Sequence, residues 1–154
     1  VALAHTPYHA ALGELVEDLR ARFGDVFVLD GHSMPDSAQS QALSPADVVL
    51  GDRWGRSADP GWTATVEAVL RGEGLATIRN RPYAGGYISR RHGRPEHGVH
   101  VVQVEFRRGL YMDEALFAPL STFEDFRLRL ARVIAELAGR LAARPSIAFA
   151  LAGE

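Results

Sequence analysis

Leu12, Leu15, Val16, Leu19 and Phe23 recur at three- and four-residue spacing between Thr6-Pro7 and Gly24. That spacing gathers them on one stripe. With Thr6 as N-cap and Pro7 at the first helical position, it predicts a helix over 7–23 packed by one face. The pattern then changes. Val26-Phe27-Val28-Leu29 is a continuous apolar run ended by Asp30-Gly31, the mark of a strand buried on both faces. Asp47-Val48-Val49-Leu50 repeats it on a smaller scale and opens into a Gly-, Arg- and Asp-rich stretch from Gly51 to Asp59. Asp59-Pro60 predicts the start of a second helix running to about Arg71, and Leu75 to Ile78 and Val99 to Phe106 read as further strands. Ser121 and Glu124 have the spacing of a capping box ahead of Phe126, Leu130, Val133, Ile134, Leu137 and Leu141, which predict a helix to about Ala143.

This alternation predicts a single α/β domain over 1–154, a largely parallel or mixed sheet flanked by helices. No internal repeat, low-complexity tract or interdomain linker interrupts it. Ligands of such sheets gather outside the carboxyl ends of the strands, which places the chemistry just after Leu29, Ile78 and Val104. The three most unusual polar clusters lie at or near those points.

Composition narrows the classes of partner. Seventeen basic against nineteen acidic side chains give a net charge of −2, which provides no counterion-release drive toward nucleic acid and no attraction to an anionic membrane. No apolar run is long enough to span a bilayer. All the basic side chains are arginine, the better bidentate clamp for carboxylates. The absence of cysteine removes disulfides, thiolate metal sites and a thiol nucleophile, and leaves the redox compartment open. The chain begins Val1-Ala2-Leu3-Ala4, too short for the apolar core of a signal peptide, and its natural start is expected upstream.

Among the candidate residues, His32 follows a buried strand on an expected turn, where Gly31 permits close backbone approach. A neutral imidazole there fits a zinc ligand oriented by Asp30, and equally a histidine that only bridges a strand-end turn. Glu105 ends the Val101–Phe106 run, where burial would raise its pKa and suit a general base; an ion pair with Arg107, Arg108 or a loop arginine is the alternative. Gln103 shares its face if the strand is regular. From Arg79 to Gly98 the chain concentrates arginines, tyrosines and paired glycines. Such a loop fits closure over an acidic substrate, with arginine gripping a carboxylate and tyrosine donating a hydrogen bond; it reads equally as a turn with a solvated basic face. No Gly-rich loop with Lys-Ser or Lys-Thr is present, which excludes a phosphate-loop nucleotide site. Tyr111-Met112-Asp113-Glu114 fits either support of the site or helix capping. His5 and His9 are expected to be solvated, and His92, His97 and His100 to belong to separate contexts.

Taken in order, Asp30-Gly31-His32-Ser33-Met34-Pro35, Asp47 to Asp52, Asn80 to Tyr87, Gln103-Val104-Glu105 and Leu110 to Glu114 resemble the N-formylglutamate amidohydrolase family over most of residues 5–135. The resemblance implies a zinc-dependent hydrolase with a fold similar to the zinc carboxypeptidases and aspartoacylases. Such an enzyme cleaves the formamide of N-formyl-L-glutamate to formate and glutamate in histidine breakdown, and is cytoplasmic. By motif, His32 corresponds to a zinc ligand and Glu105 to the base that activates water. Arg81, Arg90, Arg91 and Tyr87 become candidates for binding the substrate, with Asp30 and Gln103 behind them. The family's first two zinc ligands stand upstream of the first helix, so the chain resembles the C-terminal portion of such an enzyme, incomplete at its N-terminus. An amidohydrolase acting on another N-acyl amino acid is one alternative. A metal-free homologue that binds an acidic ligand or a partner chain is the other. If strands of the parent sheet are missing, the exposed edge favours self-association.

Overall fold

The computed structural model describes residues 2–39, 45–143 and 147–153. In chain order it contains α1 (Ala2–Phe23), β1 (Asp25–Met34), β2 (Val48–Gly51), α2 (Pro60–Gly72), β3 (Thr77–Arg79) and α3 (Tyr87–His92). These are followed by β4 (Val99–Arg107), β5 (Met112–Asp113), β6 (Ala118–Pro119), α4 (Phe123–Ala142) and β7 (Ile147–Gly153). The main sheet has the order β3-β2-β4-β1-β7, and β5 and β6 form a separate hairpin.

The sheet is mixed. β1 runs parallel to β4 and β7, and β2 parallel to β3, but β2 meets β4 antiparallel. The expectation of one common strand direction behind Leu29, Ile78 and Val104 is therefore corrected. β3 runs opposite to β1 and β4, yet its last residue, Arg79, is level through Leu50 with Val104, so the chain after it leaves the sheet beside the carboxyl-terminal halves of β1 and β4. β1 is also longer than expected. Asp30, Gly31 and His32 continue the ladder with Gln103, Val104 and Glu105, because strands on both sides offer backbone partners beyond Leu29. His32 is thus a strand residue and not part of a turn.

Strand alternation sorts the side chains by face. Phe27, Leu29, Val102 and Val104 join Trp62, Val66 and Val69 of α2 and Val133, Leu137 and Leu141 of α4 in one core. Val26, Val28, Val99 and Val101 on the other face pack with Leu12 and Val16 of α1 and Ile88 of α3. Two caps depart from the sequence reading. α1 starts at Ala2, with Pro7 inside it and not after a Thr6 cap. α4 starts after Thr122, whose hydroxyl donates to the Leu110 carbonyl at 3.0 Å, while Glu124 turns to Arg127; the Ser121–Glu124 capping box does not form. Asp59, by contrast, caps α2 by accepting from the Gly61 amide at 2.8 Å.

Leu137 is fully buried in the first core whereas Leu128 of the same helix is 48% exposed. Leu137→Ala is expected to destabilise the chain by about 2–5 kcal/mol and Leu128→Ala by about 0.5 kcal/mol or less, read from urea midpoints at constant slope.

Candidate active site at the ends of β1 and β4

In-phase pairing of β1 with β4 sets Asp30 beside Gln103 and His32 beside Glu105. All four project from the α1/α3 face, beyond the valines that those helices cover. The result is a two-by-two polar array. His32 Nε2 lies 3.0 Å from Asp30 Oδ1, and beside a buried carboxylate that nitrogen carries the proton. Nδ1 is left with its lone pair on the side chain that keeps 26% exposure. On β4, Gln103 Nε2 donates to Glu105 Oε1 at 2.6 Å, and Gln103 Oε1 accepts from the Gly86 amide.

Gln103 and Glu105 are both buried, and no ion pair reaches Glu105 among the described residues. The two nearby arginines are engaged elsewhere. Arg107 bridges to Asp47 and Asp36, which holds its guanidinium above the ordinary range chiefly through the Asp47 hydrogen bond. Arg108 pairs with Glu114. Tyr111 to Glu114 does not cap a helix: Met112 and Asp113 form β5, and Asp113 Oδ1 accepts from the Ala115 and Leu116 amides.

The segment after β3 returns to the array along the antiparallel seam. Gly51, the last residue of β2, stands opposite Gln103. An added Cβ there would lie 2.5 Å from the Gly85 nitrogen, so only glycine lets the loop lie this close to the strand. Pro82, Tyr83, Ala84, Gly85, Gly86 and Gln103 line a cleft of about 170 Å³. The structure distributes the arginine and tyrosine candidates around this cleft unequally. Arg81 is exposed just before it, at the cis Arg81–Pro82 peptide. Arg90 stacks over the Tyr87 ring at 5.3 Å, and Tyr87 itself packs against His5 and His9. Arg91 lines a different cavity with His9, Glu17, His92 and Arg94.

That second cavity corrects the reading of the histidines. His9 is buried and not solvated, its Nδ1 lying 3.1 Å from His92 Nε2. His100 is buried on β4 and accepts from the Asp59 amide at 3.2 Å, and His97 is exposed. His9 lies three residues before Leu12 and seven before Val16, on the buried stripe of α1, so helical spacing is the signal that marks it; its cover comes from α3, which lies in a stretch without periodicity.

The structure defines an α/β domain that brings a buried carboxylate and a carboxylate-oriented imidazole together at adjacent strand ends, under a glycine-rich loop. The chain belongs to the N-formylglutamate amidohydrolase family, whose sequence pattern it matches over residues 1–112. It is 37% identical over 135 residues to a protein of Pseudomonas aeruginosa named N-formylglutamate deformylase, covering 86% of this chain and 50% of that one. A second protein of that name, from Pseudomonas putida, is 32% identical over 111 residues, or 70% of this chain and 41% of that one. The crystal structure of N-formylglutamate amidohydrolase from Ralstonia eutropha JMP134 superposes with a TM-score of 0.83 at 38% identity, covering 90% of this chain and 51% of that chain. The chain spans about half the length of the curated relatives it matches.

The His9–His92 pair ties α1 to the helix that follows Gly86. Burial, and then the charges of His9, Arg91 and Arg94, pull His92 down from 6.5 to about 4. The unfolded chain therefore binds the proton first as pH falls, so the stability present above pH 6.5 is lost progressively toward pH 4. Unfolding free energy is expected to drop by about 2 kcal/mol between pH 7 and pH 5 through this group. His92→Gln, which keeps a neutral hydrogen-bonding side chain, should flatten that slope in urea titrations at the two pH values.

Proposed function

We propose that this chain carries the proton-transfer and substrate-loop portion of an enzyme that hydrolyses N-formyl-L-glutamate to formate and L-glutamate. The observation that carries the reading is the array itself. Glu105 is a buried carboxylate with no neutralising cation among the described residues, held by Gln103 next to an imidazole and below the Gly85–Gly86 cleft. In this position Glu105 takes the proton of an attacking water while the water oxygen bonds to the formyl carbon. As the carbon–nitrogen bond breaks, the same carboxyl returns that proton to the departing amine. Gln103 fixes which oxygen of Glu105 faces the cleft, and the Gly86 amide fixes Gln103 in turn. Production of glutamate in histidine breakdown accompanies this reading through the family resemblance.

Zinc is part of the proposal through His32, whose Nδ1 is directed away from Asp30 and could ligate a divalent ion. A catalytic zinc takes three protein ligands and an open position. No group of three or more His, Asp, Glu or Cys side chains that could hold a metal occurs among the described residues. The donor set of the described residues therefore does not fit a complete zinc centre. That mismatch favours a second reading for the chain alone, in which it binds the acidic amino acid without turnover. No helix among the described residues is long and apolar enough to cross a membrane.

Glu105→Gln is expected to lower kcat for N-formylglutamate by about 10²-fold or more with little change in KM; near-normal turnover would remove Glu105 from the proton path. Zinc per chain after dialysis at neutral pH separates the two readings. About one zinc per chain, lost in His32→Ala, supports a complete site assembled with ligands beyond this set. No retained zinc, with glutamate still bound, supports the binding reading for the chain alone.

A further inference from the structure

Arg53, Trp54 and Gly55 have φ of 54°, 55° and 80°. Three successive residues in the left-handed region, two of them bulky, are costly for L-amino acids, because Cβ crowds the following carbonyl oxygen. The turn persists because its surroundings determine it. The Asp52 and Trp54 amides both donate to Asn80 Oδ1, at 3.1 and 3.4 Å, and the Gly55 amide donates to Asp52 Oδ1 at 3.2 Å. The Arg53 amide donates to the Ala84 carbonyl at 2.7 Å, and the Arg56 and Ser57 amides close back onto Arg53 and Asp52. Asp52 is itself held by Asn80 Nδ2 at 2.8 Å and the Thr63 hydroxyl at 2.9 Å. Every backbone N–H from Asp52 to Ser57 is thereby satisfied, so the strain is fixed in place and is not relieved by fraying.

What this turn presents is a guanidinium. Arg53 is half-buried, and among the described residues its side chain makes no ion pair or hydrogen bond. Its Cγ lies 2.8 Å from where a Cβ on Gly85 would stand, so the stem crosses directly over that glycine. Gly85 has a φ of 120°, and the next residue donates its amide to Gln103, which holds Glu105. Arg53 is therefore linked by direct contacts to the carboxylate array through one loop, whereas Arg90 is stacked on Tyr87 and Arg91 lines the other cavity.

We infer that Arg53 is a specificity-determining residue that clamps one carboxylate of the acidic substrate at the rim of the Gly85–Gly86 cleft, an inference that rests on the function proposed above. The turn strain is the device that sets the guanidinium there before substrate arrives, which lowers the ordering cost of the clamp.

The test uses Arg53→Asn, because asparagine tolerates the left-handed backbone while the guanidinium is removed. Arg53→Lys serves as the charge-preserving rescue. Calorimetric titration of the 154-residue chain with L-glutamate, L-glutamine and L-isoglutamine reads binding without requiring turnover. The expected result is that Arg53→Asn weakens glutamate by about tenfold or more and leaves one of the two amides within about twofold, with partial recovery in Arg53→Lys and an unchanged or higher Tm. An equal loss on all three ligands, an unchanged glutamate affinity, or no glutamate binding by the wild type would overturn the inference. If the binding pattern holds but no N-formyl amino acid is hydrolysed by the protein, the proposed reaction fails while the role of Arg53 as a carboxylate clamp stands.

Discussion

The parallel register of β1 with β4 is the constraint on which the site depends. Strand side chains alternate with a period of two, so a slip of one residue would turn His32 and Asp30, or Glu105 and Gln103, to the opposite face. The register is specified by the valines before them. Val26 and Val28 on one strand, Val99 and Val101 on the other, must all meet Leu12, Val16 and Ile88. Their in-phase burial carries Asp30, His32, Gln103 and Glu105 onto the same face two and four residues later. The apolar half of the two strands thus aims the polar half, and the geometry of the array is set by packing that contains none of its residues.

The antiparallel seam between β2 and β4 has a second consequence. Because β2 and β3 are short and run against β4, they end level with Gln103 and Val104, and the segment after β3 leaves the sheet beside the array it covers. Two features hold it there. Gly51 clears the space opposite Gln103, and the buried Asp52–Asn80 pair fastens the end of β2 to the residue just after β3. A buried carboxylate costs much desolvation unless its oxygens are satisfied. Asp52 is satisfied by Asn80, Thr63 and the Gly55 amide, and through that satisfaction it dictates the left-handed turn carrying Arg53.

Legibility in the sequence followed the periodicities. Strand segments with continuous apolar runs and helices with clear stripes were readable, and so were His32, Glu105, Asp30 and Gln103, because strand period alone places them by twos. Direction was not readable. Nothing in Val48-Val49-Leu50-Gly51 distinguishes a parallel from an antiparallel neighbour, so the opposed direction of β2 and β3 shows only in the pairing with β4. Burial supplied by distant segments was also hidden. His9 shares the stripe of Leu12 and Val16, but its cover is His92, eighty-three residues away in a stretch of low periodicity. β7 had no bounding turn signal strong enough to mark Ile147–Gly153 as a strand of the main sheet. Arg53 was passed over for a related reason, since a Gly-, Arg- and Asp-rich stretch reads as a solvated loop until Asn80 is seen to accept from its backbone.

These features divide the chemistry of the chain unevenly. The buried Glu105 carboxylate, its orienting amide and the loop over the cleft all belong to one continuous set of contacts within 51–105. The imidazole of His32 lies outside that set on β1, joined to it by the register with Glu105 and held by Asp30. A histidine in that position is oriented for ligation but cannot hold a zinc ion by itself, since metal retention depends on several donors converging at fixed distances. Carboxylate binding has no such requirement, because one preorganised guanidinium next to a cleft already discriminates charge. Under the proposed function, recognition of an acidic ligand is thus the step that does not depend on metal donors beyond the described residues, and it is the step to which we assign the strained turn at Arg53.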